Sequence, residues 1–257
     1  MTLRTLISAI VPTAVLSLVV FQPWLLSPVY AQSSSTESTQ AKPTQANSQS
    51  PPPPPPAPPV NDTRPGGGLD PDDDACPDLN EGLRALIPVE NPVLTTSPYP
   101  TFLFHIPAGA ETVQYGEFSL LLWPGEEVRQ YQTRFLLPES PGVVSITLPE
   151  VPAHALVEDQ IYRWYFQLYC SEEENAQPDF TLRGAVQRVA LTPERSQQIQ
   201  AASPEIWYDA IANVANQLQA SPQDERLQDR WETLLQAIQA EDLLPTPFSG
   251  SVVPLDP

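Results

Sequence analysis

Basic residues are scarce in this chain, and acidic residues outnumber them by more than two to one. The 257 residues include 31 Asp and Glu but only 12 Lys and Arg, and the single lysine is Lys42. The formal net charge is therefore −19. Because an acid excess of this size repels phosphate backbones and anionic lipid surfaces, it argues against binding to nucleic acids or to membrane surfaces.

Cysteine and histidine are also rare, with two residues of each, so few side chains remain for metal or nucleophilic chemistry. His105 falls in a predicted strand and His154 in a predicted loop. Neither has the spacing of a zinc site or lies beside a nucleophile in the sequence. The chain lacks the G-x-S-x-G, phosphate-loop and dinucleotide-binding motifs. We therefore assign no catalytic residue and expect no cofactor.

One acidic cluster has the spacing of a calcium-binding loop. Asp70, Asp72, Asp74 and Glu81 match positions 1, 3, 5 and 12 of an EF-hand. Ala75, however, stands where that loop needs glycine. We keep the four residues as a weak metal candidate and favour a solvated acidic run at the edge of a domain.

The first 31 residues are predicted to be an export signal. Arg4 gives a positive start, and an apolar stretch runs from Leu6 to Leu26. Val29 and Ala31 are then small residues at positions −3 and −1 before a cleavage site. An uncleaved membrane anchor is the alternative, because about 20 apolar residues can span a bilayer. Either reading places the rest of the chain outside the cytoplasm, in the periplasm or the extracellular space.

Residues 32–75 are predicted to form a disordered linker. The segment begins rich in Ser, Thr and Gln and continues into PPPPPPAPP. The first part has few apolar side chains to bury, and the second part should be a stiff, extended helix of about 3.1 Å per residue. Such a segment can bind SH3 or WW domains, but we expect a spacer, since those domains are not expected outside a bacterial cytoplasm.

Six segments between residues 99 and 191 have the turn boundaries and composition of β-strands. They are YPTFLFHIP (99–107), GEFSLLLWP (116–124), VRQYQTRFLLP (128–138), GVVSITLP (142–149), IYRWYFQLYC (161–170) and DFTLRGAVQRVAL (179–191). Their spacing predicts an antiparallel β-sandwich over residues 76–191. The fold class that we expect is therefore α+β, with helices following the sandwich.

The segment 161–170 is predicted to be the central strand. It is dense in aromatic residues and contains no Gly or Pro. Alternation places one apolar set of side chains on a single face: Tyr162, Trp164, Phe166, Leu168 and Cys170. We expect neighbouring elements to cover both faces of this strand.

A tyrosine at the start of this strand indicates a particular kind of sandwich. Leu156 precedes Tyr162 by six residues, as in the tyrosine corner of immunoglobulin-like and fibronectin-like domains. In that corner the phenol bonds to the backbone just upstream. The inter-sheet disulfide of immunoglobulin domains is missing, because Cys76 lies before the first strand.

Helices are predicted over residues 192–244, packed on the sandwich. Thr192, Ser203 and Ser221 each precede a proline, the pattern of an N-cap followed by Pro at the first helical position. Two of these segments carry apolar stripes at helical spacing and predict a hairpin of amphipathic helices. Residues 245–257 are predicted to be a loose tail.

The two cysteines, Cys76 and Cys170, are predicted to form a disulfide. An exported chain meets an oxidising compartment, and two cysteines allow a single intramolecular pairing. The bridge would join the start of the folded region to the end of the central strand. Two reduced cysteines or a catalytic thiol are the alternatives.

The ordered series of short motifs resembles a cyanobacterial family designated domain of unknown function 928. The matching pieces are the early Cys76 followed by LRALIP, then TFLFHIP, GEFSL, YQTRFLLP, GVVSITLP, YRWYFQLYC, GAVQRVAL, IWYDAIANV and WETLLQAI. The resemblance covers about residues 76–244. It implies this architecture and an exported setting, but it carries no activity.

Large aromatic residues are the remaining candidates for a binding groove. Six of them could line a sugar or peptide site, although such residues are more often part of a core: Trp123, Trp164, Tyr165, Tyr169, Trp207 and Trp231. We expect an exported, non-catalytic binding or scaffolding protein with a protein partner in the cell envelope. A carbohydrate-active or other hydrolase that uses paired carboxylates is the alternative.

Overall fold

Two β-sheets and three α-helices make up the part of the chain that the structure describes. The computed structural model describes residues 57, 59–65, 79–90, 92–171 and 176–255. The strands are β1 (Arg84–Ala85), β2 (Leu94–Thr95), β3 (Thr101–Ile106), β4 (Tyr115–Trp123), β5 (Arg129–Leu136), β6 (Gly142–Thr147), β7 (Ile161–Tyr169), β8 (Phe180–Arg188), β9 (Phe248–Ser251) and β10 (Val253–Pro254). The helices are α1 (Pro193–Gln200), α2 (Trp207–Ala220) and α3 (Glu225–Ala237). The mixed α+β class predicted from the sequence is confirmed.

The strands pair in a four-stranded sheet of order β1-β3-β6-β9 and a six-stranded sheet of order β10-β5-β4-β7-β8-β2. All six predicted strands are present, each within two or three residues of its expected bounds. The sheets are not wholly antiparallel as predicted. The pairs β2–β8 and β6–β9 are parallel, and in each pair one member is a short segment at the edge of its sheet.

The predicted alternation along β7 is confirmed on its core side. Trp164, Phe166 and Leu168 are completely buried, and Tyr162 is 1% exposed. The opposite face is covered only in part, since Arg163 and its neighbours on that side are half-buried. Covering elements were expected on both sides because this strand is dense in aromatic residues. Those residues instead shield one another on the second side.

An aromatic cluster fills the space between the two sheets. The rings of Phe104 and Phe166 stack with centroids 4.1 Å apart, and Phe104 also meets Trp164 edge to face at 5.5 Å. Phe118 lies 4.9 Å from Phe102. Burying each side chain of this size contributes about 1.5–3 kcal/mol, so this cluster is a principal source of stability.

The helical hairpin docks on the sandwich through the start of α2. The indole N–H of Trp207 donates to the carbonyl oxygen of Leu86 at 2.7 Å. The carboxylate of Asp209 accepts hydrogen bonds from the hydroxyl of Thr95 at 2.7 Å and from both the hydroxyl and the amide of Thr96. Because both threonines are buried, these bonds fix the helix against β2 in a site with little water.

Two of the three predicted helix starts differ from the structure. Thr192 caps α1 as predicted, accepting from the amide of Arg195 at 3.3 Å. Ser203 makes no capping bond, and Pro204–Ile206 forms a 3₁₀ turn before α2. The cap of α3 is Asp224 rather than Ser221, since the carboxylate accepts from the amide of Arg226. Asp competes well for the cap position because it is a strong acceptor at a helix N-terminus.

Tyr162 makes the backbone contact that its position predicted. Its hydroxyl accepts a hydrogen bond of 3.0 Å from the amide of Val157, five residues upstream. The ring itself is 1% exposed. The bond satisfies a polar group that burial would otherwise leave without a partner.

The folded region begins earlier than the predicted linker boundary at residue 75. Asp62 forms an antiparallel bridge with Arg183 of β8, and the carbonyl of Thr63 accepts from the amide of Ala85. The side chain of Asn61 is buried, donates to the carbonyl of Pro88 and accepts from the amide of Ala185. This segment has few apolar side chains, but backbone groups at the edge of β8 hold it in place.

The tail predicted to be loose instead completes both sheets. Phe248–Ser251 pairs with β6 in the four-stranded sheet, and Val253–Pro254 pairs with β5 in the six-stranded sheet. Gly250 takes a positive φ of 100° beside this crossing, and Val252 is buried. The tail is ordered because the unpaired N–H and C=O groups at each sheet edge can form hydrogen bonds with a short segment that reaches them.

Candidate binding surface

The outer side of the six-stranded sheet is an ordered surface of aromatic and arginine side chains. Residues that are paired across strands share a face, so the register defines this surface from the strands upward. We call it the outer face, and its members are Tyr115, Glu117, Trp123, Arg129, Gln132, Arg134, Arg163, Tyr165, Gln167, Tyr169 and Arg183. Four of the ten arginines in the described residues lie here, an unusual concentration for a chain of charge −19.

Glu126 organises one half of the outer face from the turn between β4 and β5. Its carboxylate accepts a hydrogen bond of 2.8 Å from the hydroxyl of Tyr165 and forms an ion pair of 3.2 Å with Arg163. The guanidinium of Arg163 lies 5.7 Å from the ring centroid of Trp123 and 5.5 Å from that of Tyr165. The side chain of Arg163 is only 13% exposed, so each such cation–π contact is worth between about 0.5 and about 2 kcal/mol.

The environment of Tyr165 also changes its acidity. Burial raises the pKa of the phenol, and the hydrogen bond to Glu126 raises it further. The hydroxyl therefore stays protonated and keeps donating to the carboxylate over the ordinary pH range. The four side chains of this half are held in fixed positions before any ligand arrives.

A stacked tyrosine pair forms the other half of the outer face. The rings of Tyr115 and Tyr169 are 4.5 Å apart and inclined by only 8°. The guanidinium of Arg134 lies 5.2 Å from the Tyr115 centroid and forms an ion pair of 3.5 Å with Glu117. Burial, followed by the nearby Glu117 charge, raises the pKa of Tyr169. Aromatic and charged groups again alternate in a single ordered layer.

The six aromatic candidates from the sequence divide into two groups. Trp164, Trp207 and Trp231 are 0–4% exposed and belong to the core. Trp123, Tyr165 and Tyr169 share the outer face. For the two tyrosines this follows from the sequence, because they alternate with the buried residues of β7. The sequence did not single out Glu126 or Arg163, because these two residues lie 37 positions apart, one in a turn and one in a strand. A contact over that distance leaves no local pattern in the sequence.

Comparison with known proteins identifies the family of the chain. Residues 62–248 match the family described as Domain of Unknown Function (DUF928). The chain belongs to this family. The match begins at Asp62, which agrees with the docked segment before β1 and extends the resemblance found in the sequence. No curated protein and no solved structure gives a significant match.

Most of the weak metal candidate lies outside the described part of the DUF928 chain. Asp70, Asp72 and Asp74 are not among the described residues, whereas Glu81 is exposed in a turn. Within the residues that are described, no three His, Cys, Asp or Glu side chains form a group that could hold a metal ion. The calcium-loop hypothesis therefore stays a prediction.

The described residues do not test the predicted disulfide or the predicted export signal. Cys76 and residues 1–31 lie outside the described residues, so both hypotheses remain predictions. Cys170 is 7% exposed at the end of β7, and its amide donates to the carboxylate of Asp179 at 2.8 Å.

Among the described helices of the DUF928 chain, none is long and apolar enough to cross a membrane.

The two histidines have backbone partners. The Nδ1 atom of His105 lies 2.6 Å from the carbonyl oxygen of Gly82, and that of His154 lies 3.0 Å from the carbonyl of Gln130. Burial lowers the pKa of His105, which favours a neutral ring that donates to the carbonyl. These contacts give both rings a structural role in the DUF928 fold.

Proposed function

We propose that this chain is an exported, non-catalytic binding module of the bacterial cell envelope, and that the outer face engages a protein partner. The composition of that face supports the proposal, because Tyr, Trp and Arg are the residues enriched among binding hot spots. The export signal and proline-rich spacer predicted from the sequence would carry the domain out of the cytoplasm and give it reach.

The fixed geometry of the outer face is the observation that carries the proposal. Arg163 and Tyr165 are held by Glu126, and Tyr115 is held by Tyr169 and Arg134. A partner that binds side chains already in position does not have to offset the entropy of ordering them, which amounts to about 0.5–1.5 kcal/mol per side chain.

The sandwich itself we assign to the immunoglobulin-like or fibronectin-like type. The sheets β1-β3-β6 and β5-β4-β7-β8 correspond to strands ABE and C′CFG of such domains. The bond from the Val157 amide to Tyr162 lies at the entrance to the strand that corresponds to F. An experimental structure in which β3 and β6 fall in different sheets would refute this assignment.

The hydrolase alternative receives less support from the described carboxylates. Asp229 and Glu232 line a cleft beside α3, but both are exposed and project from the same face of that helix. Carboxylates in glycosidases flank the bond that they cleave. Groups on one side of a ligand cannot flank it, so we retain binding as the function.

Site-specific crosslinking in cells tests the proposal. A photoreactive phenylalanine analogue placed at Gln167, in the middle of the outer face, should trap a discrete protein partner. The same analogue at Thr147, which is exposed on the four-stranded sheet, is the matched control and should not. Equal crosslinking from both positions, or none from Gln167, would argue against the outer face as the binding surface.

The trapped partner then allows a quantitative test with purified proteins. We expect Tyr165→Ala to weaken binding at least about tenfold, the scale of a hot-spot residue. Thr147→Ala should leave the affinity unchanged. Circular dichroism of both variants checks that the fold is intact, so a loss of affinity reports on the surface and not on unfolding.

A further inference from the structure

A cleft of about 780 Å³ lies between α2, α3 and the segment that leads into β9. Its volume is within the range of about 300–1,000 Å³ found for ligand-binding pockets. None of its lining residues belongs to the outer face. The cleft is therefore a separate feature, and the argument for it does not depend on the function proposed above.

The lining of the cleft combines an apolar floor with a negatively charged rim. The ring of Trp231 lies 5.1 Å from that of Phe248, and Leu218 and Leu244 continue the apolar surface. Leu244 is 40% exposed and so presents apolar surface to the cleft. The carboxylates of Asp229 and Glu232 stand at the rim.

The rim charges have different local partners. The carboxylate of Glu232 accepts a hydrogen bond of 3.1 Å from the side-chain amide of Gln236. The carboxylate of Asp229 has no hydrogen-bond or ion-pair partner among the described residues, whereas its backbone carbonyl accepts from the hydroxyl of Thr233 at 2.9 Å. The nearby Arg226 is directed to Asp224 at 3.5 Å. The rim thus keeps negative charge that a ligand can approach.

We propose that this cleft binds a short peptide segment in which an apolar side chain is flanked by lysine or arginine. The apolar side chain would rest on Phe248 and Leu244, beside the buried Trp231, where contact removes apolar surface from water. The flanking cations would lie against Asp229 and Glu232. Charge complementarity of this kind sets specificity and attracts the ligand, and the overall charge of −19 adds to the attraction.

Titration of the full chain with small synthetic peptides tests the proposal. The probe is acetyl-Gly-Lys-Leu-Lys-Gly-amide, and the comparison peptides replace both lysines by glutamate or the leucine by serine. Binding is followed by NMR through the indole N–H resonance of Trp231, which is assigned by its loss in Trp231→Phe. We expect the Lys-Leu-Lys peptide to shift this resonance in a saturable way that weakens with added salt.

Isosteric variants separate the rim charges from the overall charge. Asp229→Asn combined with Glu232→Gln should weaken binding of the Lys-Leu-Lys peptide at least about fivefold. Glu139→Gln combined with Glu150→Gln removes two exposed carboxylates elsewhere and should leave the affinity within about twofold. An equal loss in both double variants, or equal binding of the Glu-Leu-Glu or Lys-Ser-Lys peptides, would overturn the proposal.

Discussion

The indole N–H of Trp164 donates a hydrogen bond of 2.8 Å to the hydroxyl of Tyr208, and both side chains are buried in the core. The hydroxyl of Tyr208 donates in turn to the carbonyl oxygen of Ala185 at 3.1 Å. One phenol therefore joins the central strand β7, its neighbour β8 and helix α2. It adds a buried polar link between the sandwich and the helical hairpin to those made by Trp207 and Asp209.

Removing this hydroxyl should destabilise the protein without a large change in volume. Tyr208→Phe leaves the Trp164 indole and the Ala185 carbonyl without that partner in a dry core, which costs about 1–3 kcal/mol. Equilibrium urea unfolding measures the change. Tyr115→Phe, on the outer face, is the matched control and should change stability by less than about 0.5 kcal/mol. Equal effects of the two variants would contradict the role of Tyr208.

Stability should fall at alkaline pH because several buried phenols resist ionisation. Burial raises the pKa of Tyr208 far above the ordinary value of 10.0, and the hydrogen bond from Trp164 offsets only part of this rise. The pKa values of Tyr165 and Tyr169 are also raised. The unfolded chain then loses protons first as the pH passes about 10, so the free energy of unfolding decreases above that pH.

Urea unfolding at about pH 9 and about pH 11 checks this expectation. The decrease should be smaller in Tyr208→Phe, which has one fewer phenol with a raised pKa. A pH-independent free energy of unfolding over this range would show that the phenols ionise equally in both states.

Trp231 should be a stabilising residue as well as part of the cleft floor. Its side chain is only 4% exposed, so Trp231→Ala should cost about 3–5 kcal/mol in urea unfolding. Trp123→Ala, on the half-exposed outer face, should cost less. A loss below about 1 kcal/mol for Trp231→Ala would mean that the indole contributes little to folding and serves mainly a partner.

The pairing of Cys76 with Cys170 remains to be measured. We expect no thiol to react with iodoacetamide in denatured protein prepared without reductant, and two to react after reduction. The bridge would close a loop of about 95 residues, for which chain entropy gives at most about 4–5 kcal/mol of stabilisation. Cys170→Ser should lose much of that amount. Full labelling of both thiols without reductant would refute the disulfide.

Export is tested at the N-terminus. We expect cleavage between Ala31 and Gln32, because Val29 and Ala31 supply the small residues at positions −3 and −1 before such a site. N-terminal sequencing of protein recovered from the cell envelope reads the start of the mature chain. Recovery of intact chains that begin at Met1 and stay in the membrane would identify the segment as an anchor.

The long strands were predictable because they carry a repeating signal. Alternation in β7 identified Trp164, Phe166 and Leu168 as core residues, and all are fully buried. The edge segments have no such signal. A strand of two residues such as β2 or β10 has no period to detect, and its position depends on the unpaired backbone groups of a distant neighbour.

The candidate surfaces were predictable only in part, for a related reason. Parity placed Tyr165 and Tyr169 on one face, but the partners that fix them come from a turn and from other strands. Asn61 makes its contacts through backbone groups 27 or more residues away. Sequence reports local preference well, whereas a polar side chain that binds distant backbone leaves no local pattern.

The crossing of residues 248–254 from one sheet to the other has a consequence for biosynthesis. A ribosome makes β9 and β10 after the three described helices, so the four-stranded sheet lacks a strand until Ser251 has emerged and the six-stranded sheet until Pro254 has emerged. Arg84 and Asp242 form a contact although they are 158 residues apart. Such contacts also delay completion of the fold. β-Sandwich folds, in which non-local strand pairings dominate, form in about milliseconds to seconds. The growing chain should therefore stay incompletely folded while it is being made, in a state that a secretion channel for unfolded chains can accept.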